Sequence, residues 1–255
     1  MMEREPAVEV APGPDAAWAA LAEAALEPGK LARNRIVAGG RGDPAHVPFD
    51  LLRTRMLRAL KERGWRRVGI TSASPGCGKT FVTANLALSV ARRSGCRVIA
   101  MDFDLRIPSL AKVFGQRKPG FMEDLLTGGV TPDLHLRRVG ANLALGLNAA
   151  PAGNPAELLE EPATRRAIER IEADYAPDAI LFDLPPALVC DDVMAFLPRL
   201  DAVLLVAGAG VTTAAQIRAC EALFGETAPL FGETAPLLGV ILNRAEDGPV
   251  EPYYA

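Results

Sequence analysis

A glycine-rich run with one lysine, Ser74 to Thr80 (SPGCGKT), is the segment best suited to hold phosphate groups. Its end fits the pattern GxxxxGK[ST], although Ala73 stands where that pattern begins with glycine. An apolar strand-like segment precedes the run and a helical pattern follows it, so backbone N–H groups would point at phosphates beside the helix's positive end. Lys79 would reach the β- and γ-phosphates of a nucleotide, and Thr80 would offer its hydroxyl to Mg²⁺.

Three acidic side chains follow two other apolar segments. Asp102 and Asp104 lie in the run DFDLR, which ends at Arg106, and Asp183 begins the run DLPP. Alternate residues of an extended chain point the same way, so the first run would project two carboxylates and a guanidinium together. Two carboxylates suit Mg²⁺ and the orientation of a nucleophile, and the arginine could handle phosphate charge. Taken alone, a solvated strand exit with an internal ion pair explains the first run equally well.

Composition narrows the classes of protein. The chain has 255 residues and a net charge of -3, with Lys and Arg scattered along it, which argues against nucleic acid as a partner. Four cysteines lie far apart and only two histidines are present, so neither a zinc site nor a disulfide framework is predicted. The acidic start does not fit a signal peptide, and no apolar run approaches the roughly 18–20 residues of a membrane span. We therefore expect a cytoplasmic protein.

The order of apolar segments predicts an α/β fold. Strands are expected at 67–71, 97–102, 142–147, 179–183, 202–206 and 238–242, and helices at 49–63, 78–93, 162–174, 190–198 and 213–224. Strands alternating with helices form a mostly parallel, doubly wound sheet covered on both faces. In such a sheet the ligand lies at the carboxyl ends of the strands. All the candidate residues above fall at such ends.

We expect a single domain with two tails. Residues 1–46 are rich in Ala, Pro, Gly and charge, and predict a flexible arm with one short helix between Asp15 and Leu26. Residues 47–245 would form the folded domain and 246–255 a tail. The sequence LFGETAP occurs at 223–229 and again at 230–236. We interpret this repeat as a tandem duplication that lengthens a surface connection, which costs little.

In these features the chain resembles the bacterial tyrosine kinases (BY-kinases) of capsule and exopolysaccharide synthesis. The resemblance covers about residues 47–244 and is carried by SPGCGKT, by DFDLR ending at Arg106, by DLPP, by Asn154–Leu159 (NPAELL) and by Leu242-Asn243-Arg244. It implies a phosphate-loop NTPase fold of the deviant Walker type. Related cell-division and partition ATPases carry an extra lysine where this chain has Ser74.

The resemblance also implies roles for the candidate residues. Lys79, Asp102, Asp104 and Arg106 would be catalytic, with Asp102 accepting the tyrosine proton. Thr80, Asp104 and Asp183 would hold Mg²⁺, while Asn243 would face the adenine of ATP. The loop contacts to the nucleotide would come from Pro75, Gly76, Cys77, Gly78, Lys79, Thr80 and Phe81.

Two departures from the family pattern concern assembly and substrate. The ExxRxxR helix that packs family members into a ring is reduced to Val47, Asp50 and Arg53, so only the last arginine survives. The C-terminal tyrosine cluster is reduced to Tyr253 and Tyr254, the expected phosphoacceptors. An acidic, Pro-containing tail suits a substrate segment.

The implied function is an ATP-dependent protein tyrosine autokinase that regulates capsular or exopolysaccharide polymerisation and export. Its partners would be a membrane-anchored chain-length or co-polymerase activator, a cognate tyrosine phosphatase and other copies of the chain. The activator would recruit it to the inner face of the membrane. The alternative is a nucleotide-switch ATPase that acts by binding a partner without phosphorylating tyrosine, which the eroded helix and few tyrosines favour.

Overall fold

The computed structural model describes residues 12–40, 42–231 and 235–245, with the backbone alone given for 226–231. Within them seven strands form one sheet: β1 Arg67–Ser72, β2 Val98–Asp102, β3 Arg137–Val139, β4 Leu143–Gly146, β5 Ala179–Asp183, β6 Ala202–Gly208 and β7 Leu237–Asn243. Their spatial order is β3-β4-β2-β5-β1-β6-β7. Every neighbouring pair is parallel except β3 and β4. The expected mostly parallel, doubly wound sheet is confirmed.

Helices cover both faces of this sheet. They are α1 Pro14–Ala20, α2 Pro28–Arg33, α3 Val47–Arg63, α4 Lys79–Ala91, α5 Leu110–Val113, α6 Met122–Thr127, α7 Pro132–His135, α8 Pro155–Glu160, α9 Pro162–Tyr175, α10 Asp192–Phe196 and α11 Ala214–Phe231. Short 3₁₀ turns occur at Pro44–His46 and Leu197–Arg199. The strand β3 and the short helices α2, α5, α6, α7 and α8 were not predicted.

Alternate residues of the central strands belong to two hydrophobic cores, one on each face of the sheet. In β2, Val98 and Ala100 pack with α3 and α4, whereas Ile99 and Met101 pack on the opposite face with α9 and α10. Both sets are fully buried. A strand buried on both faces must be apolar throughout, which explains why these strands read as continuous apolar runs. The first polar residue after each run therefore lies at the edge of the sheet.

The description of residues 1–46 as a flexible arm is wrong for the part that the structure describes. Trp18 is only 3% exposed, and its indole Nε1 donates to the carbonyl of Ala141 at 2.8 Å. The helix ends at Ala20 rather than near Leu26, because residues 22–24 run extended beside β3: Arg138 N donates to Ala22 O and Ala24 N donates to Arg138 O. These residues belong to the domain.

The duplicated segment also differs from expectation. Its first copy, 223–229, lies wholly inside α11, which continues to Phe231. The first copy and the start of the second therefore belong to a helix and not to a surface connection, and Phe224 of the first copy is buried in the core.

Candidate functional site

The phosphate loop joins β1 to α4 in the middle of the sheet. Gly76 and Gly78 adopt left-handed backbone angles, with φ of +81° and +89°. A Cβ at Gly78 would lie 2.2 Å from Nδ2 of Asn243, whereas one at Gly76 would meet nothing within 4 Å. Glycine is thus needed at 78 for space as well as for its backbone angle. The loop curls so that α4 begins at Lys79.

Lys79 is held by the carboxylates that follow β2 and β5. Its Nζ lies 2.6 Å from Oδ2 of Asp104, and both side chains are largely buried. Burial alone would lower the pKa of Lys79, but the charges of Asp183 and Asp104 outweigh it and raise the pKa. The lysine is therefore charged, and it must exchange Asp104 for phosphate oxygens when a nucleotide enters.

Asp102 and Asp183 stand side by side at the ends of β2 and β5, where the two residues are in register. Oδ2 of Asp102 accepts from the N–H groups of Ser109 and Leu110 at 3.0 and 2.8 Å, and Oδ1 of Asp183 accepts from the Thr83 hydroxyl at 3.2 Å. The other oxygen of each carboxylate is buried with no partner. Burial, and for Asp102 the charge of Asp183, raises the pKa of both groups.

These unpartnered oxygens fit a cation. Asp104 lies beside them, and the hydroxyl of Thr80 sits 3.0 Å from that of Ser109. Among the described residues, no three carboxylate, imidazole or thiolate groups form a ready-made metal cage. Mg²⁺ commonly takes one or two carboxylates and completes its shell with water and substrate phosphates. The donor set therefore suits Mg²⁺ that arrives with a nucleotide.

A pocket of about 330 Å³ opens above these groups. Its polar floor includes Lys79, Thr80 and Asp104, and its rim includes Ile107, Val189 and Arg244. Asp102 lies below the floor and is fully buried. Sequence reasoning missed Ser109 and Val189, which no motif marks, and it named Arg244 only as the end of the Leu242-Asn243-Arg244 segment. A larger cavity of about 400 Å³ lies at the opposite ends of the strands near Trp65, but it contains none of the phosphate-binding residues.

Three predicted site residues serve the loops instead of facing this pocket. Nδ2 of Asn243 donates to the carbonyl of Cys77 at 2.8 Å, so it braces the phosphate loop. The Sγ of Cys77 lies 3.3 Å from the Thr212 hydroxyl and is buried. The ring of Phe81 packs edge-on against Phe49, with centroids 5.7 Å apart, between α3 and α4.

Arg106 lines the pocket and is held there by carboxylates of another loop. Its Nε and Nη2 donate to the two carboxylate oxygens of Asp192 at 2.9 and 2.8 Å. Nη2 also lies 3.3 Å from Asp191. These bonds use Nε and Nη2, while the side chain stays 46% exposed and lines the pocket that also contains Lys79 and Thr80. The expected role of this guanidinium toward phosphate charge therefore stays a prediction.

In the helix that corresponds to the ring-assembly pattern of the family, the polar side chains form bonds within the molecule. Nη1 of Arg53 donates to Asp50 and to the carbonyl of Ser89, both at 3.1 Å. Asp50 also pairs with Arg92. The surviving arginine thus ties α3 to α4. Over the described residues, no helix is long and apolar enough to cross a bilayer.

Known proteins resemble this chain in sequence and in architecture. Residues 68–251 match the CobQ/CobB/MinD/ParA nucleotide binding domain. EpsB of Ralstonia nicotianae, described as a candidate tyrosine-protein kinase, is 35% identical over 181 residues, which are 69% of this chain and 23% of EpsB. Tyrosine-protein kinase YwqD of Bacillus subtilis is 34% identical over 185 residues, covering 69% of this chain and 73% of YwqD.

A solved structure agrees with the sequence relatives. The kinase domain of Escherichia coli tyrosine kinase ETK superposes with a TM-score of 0.68 at 26% identity, covering 83% of this chain and 82% of that domain. The chain spans about a quarter of the length of EpsB and most of YwqD. It belongs to the CobQ/CobB/MinD/ParA nucleotide-binding family and, within that family, to the bacterial tyrosine kinases.

Proposed function

We propose that this chain is an ATP- and Mg²⁺-dependent protein tyrosine autokinase that regulates capsular or exopolysaccharide polymerisation and export. The observation that carries the proposal is the gathering of Lys79, Thr80 and Asp104 in one pocket, close enough to the adjacent Asp102 and Asp183 for their charges to act on Lys79. A simple nucleotide-binding turn needs no such group of carboxylates. The names of the relatives support transfer of the phosphoryl group to tyrosine.

In this mechanism the residues of the pocket position the phosphate groups of ATP and stabilise their negative charge. Lys79 leaves Asp104 for the β- and γ-phosphates, and the N–H groups of the loop, with Gly76 and Gly78 curled beneath them, hold the phosphate oxygens. Thr80, Asp104 and Asp183 would hold Mg²⁺, which when bound neutralises phosphate charge. Asn243 keeps the loop closed through its bond to Cys77.

Asp102 is the proposed acceptor of the tyrosine proton. Its raised pKa gives it more basicity than an ordinary carboxylate, which suits a general base working near neutral pH. Its free oxygen is buried, so a phenol reaches it only after the segment that follows β2 shifts. Tyr253 and Tyr254, the proposed phosphoacceptors, lie outside the described residues. The tail that carries them leaves from Arg244 on the pocket rim.

The proposed partners are a membrane-anchored co-polymerase activator, which would recruit the chain to the inner face of the membrane, and a cognate tyrosine phosphatase. Assembly with other copies would need contacts other than Arg53, because that side chain is engaged within the molecule. The activator proposal rests on the family resemblance.

The test is transfer of label from γ-labelled ATP in the presence of Mg²⁺. We expect the wild-type chain to gain phosphotyrosine and the Lys79→Met variant to gain none, because phosphate charge is then uncompensated. The double variant Tyr253→Phe/Tyr254→Phe should lose most of the label, while Lys112→Met, on an exposed lysine, should behave as wild type. No label in the wild type, with or without a co-polymerase activator, would refute the kinase proposal.

A second function, a nucleotide-switch ATPase without tyrosine phosphorylation, is favoured by one observation. The helix that assembles the family into rings carries its arginine turned inward, which removes one route by which a tail reaches a neighbouring site. Release of inorganic phosphate from ATP without any phosphotyrosine would support this alternative.

A further inference from the structure

Arg106 and the buried Asp192 form a two-bond ion pair, the fork, that links two loops. The guanidinium binds both carboxylate oxygens of Asp192 through parallel hydrogen bonds of 2.9 and 2.8 Å. Asp192 is 0% exposed in its side chain, whereas that of Arg106 is 46% exposed. A two-bond arginine–carboxylate contact fixes angle as well as distance. Removing either partner should therefore change the distance between the two loops that carry Arg106 and Asp192.

The loops joined by this fork start from neighbouring strands. Arg106 lies in the segment after β2, and Asp192 begins α10 after the loop that follows β5. Asp102 and Asp183 are in register where these strands end. The two segments diverge from that point, and the fork is a second tie between them beyond the sheet.

Each joined loop presents an apolar side chain to solvent at the pocket. Ile107 is 75% exposed and Val189 is 60% exposed, and both line the pocket together with Pro185 and Pro186. Exposed aliphatic groups above a floor of lysine and carboxylates do not help to bind phosphate. They offer a surface to a flat apolar group, and an aromatic ring gains most from such contact.

We propose that Asp192, acting through Arg106, is a positioning residue that sets the apolar wall of Ile107 and Val189 against which the acceptor tyrosine ring packs. This proposal rests on the tyrosine kinase function proposed above. Arg106 then acts on the acceptor side of the pocket, next to the floor that Lys79 and Asp104 supply for the phosphates.

The test separates acceptor binding from turnover. The full chain, held with Mg²⁺ and a non-hydrolysable ATP analogue, is titrated with a peptide of residues 246–255. Asp192→Asn keeps the shape of the side chain but weakens the fork, so the peptide Kd should rise about fivefold to tenfold, the usual scale for a residue that affects a ligand without touching it. Ile107→Ala should have a similar effect. Asp174→Asn, which removes an exposed carboxylate from the Arg170 pair, should have none.

Peptide variants identify the ring as the recognised group. Replacing both tyrosines by phenylalanine should keep the affinity for the wild-type chain, whereas replacing them by alanine should reduce it to the level of Asp192→Asn. In steady-state assays, Asp192→Asn should raise KM for the peptide and leave KM for ATP within twofold, with kcat at saturating peptide largely kept. Arg106→Lys should behave alike, since an ammonium cannot form the two-bond fork.

Three results would overturn the inference. They are an unchanged peptide Kd in Asp192→Asn, a raised KM for ATP, or a fall in kcat with peptide KM unchanged; the last two would place Arg106 on the phosphate. Failure of the kinase proposal gives a different pattern, because the wild-type chain would then transfer no label to any tyrosine while the peptide titration still reports on the wall.

Discussion

At the scale of single residues, the main feature of the site is that its ionisable side chains are buried away from water. Asp102 and Asp183 are both fully buried and adjacent, and the charge of Lys79 favours the ionised form of each without outweighing the effect of burial. Each carboxylate keeps an oxygen without a partner. Two adjacent carboxylates disfavour each other's ionisation, and burial disfavours the ionisation of both. The nucleotide-free protein therefore carries electrostatic strain at the place where a cation would relieve it.

Asp102→Asn should stabilise the nucleotide-free protein at neutral pH. The amide oxygen can still accept from Ser109 and Leu110, while the buried negative charge is removed. The pKa of Asp102 is raised above its ordinary 3.8 in the folded state. Folding therefore loses stability as pH rises from about 4 through that raised pKa. The variant should gain on the order of 1 kcal/mol in the free energy of unfolding at pH 7.5.

Urea unfolding at pH 7.5 and pH 4 tests whether Asp102→Asn raises the free energy of unfolding as expected. At pH 4 the native carboxyl is already protonated, so the gain should vanish. The exposed Asp174→Asn serves as control and should change little at either pH. A loss of stability at pH 7.5, or an equal gain at both pH values, would contradict the assignment of strain to Asp102.

At the scale of elements, the phosphate loop is braced by β7. The side chain of Asn243, the last residue of β7, reaches across to the Cys77 carbonyl and fills the space beside Gly78. Gly78 and Gly76 have similar left-handed angles but different surroundings. Comparing alanine substitutions at the two glycines therefore separates the cost of the left-handed backbone angle from the cost of steric crowding by Asn243.

Gly78→Ala should destabilise the nucleotide-free protein by about 1–2 kcal/mol more than Gly76→Ala. Both variants bear the penalty of a left-handed angle, roughly 1–2 kcal/mol, but only the first also displaces Asn243 and breaks its hydrogen bond, which adds about 1 kcal/mol or more. Thermal unfolding without nucleotide measures the difference. Adding Asn243→Ala to Gly78→Ala should recover the crowding part, and equal losses in the two glycine variants would refute this account.

At the scale of the whole molecule, residues 12–40 close one side of the domain. Trp18 packs edge-on against Tyr175 with centroids 6.4 Å apart, and residues 22–24 extend the edge of the sheet beside β3. Ile36 and Ala38 are buried on the opposite core, where Asn85 accepts from the N–H groups of Val37 and Ala38. The segment before α3 thus contacts both faces of the sheet.

Trp18→Ala should lower the free energy of unfolding by about 3–5 kcal/mol, the usual result of emptying a large buried aromatic site. Trp18→Phe should lower it less, since the ring contact remains while the hydrogen bond to Ala141 is lost. Phe121→Ala, at a ring that is 54% exposed, is the control and should change stability little. If Trp18→Ala had no more effect than Phe121→Ala, residues 12–40 would not stabilise the domain.

Sequence reasoning succeeded where information is local. The strands β1, β2, β5 and β6 are apolar runs, and the phosphate loop and the three aspartates fall where β1, β2 and β5 end. It failed where partners are distant along the chain: nothing near Arg106 indicates that Asp192 will bind it 86 residues later. The edge strand β3 was missed because Arg137 and Arg138 give it no apolar pattern. The end of α11 was misplaced because Gly225 and Pro229 usually interrupt helices.

The heptapeptide duplication in α11 has a consequence that concerns helical phase. Seven residues amount to almost two full turns, with a drift of only about 20°. A repeated heptapeptide therefore returns the backbone to nearly the same angular position around the helix axis. An insertion of five or six residues would instead have rotated the following backbone to another side of that axis. The length of the repeat explains how a helix could accept it without changing the face that it turns to the sheet.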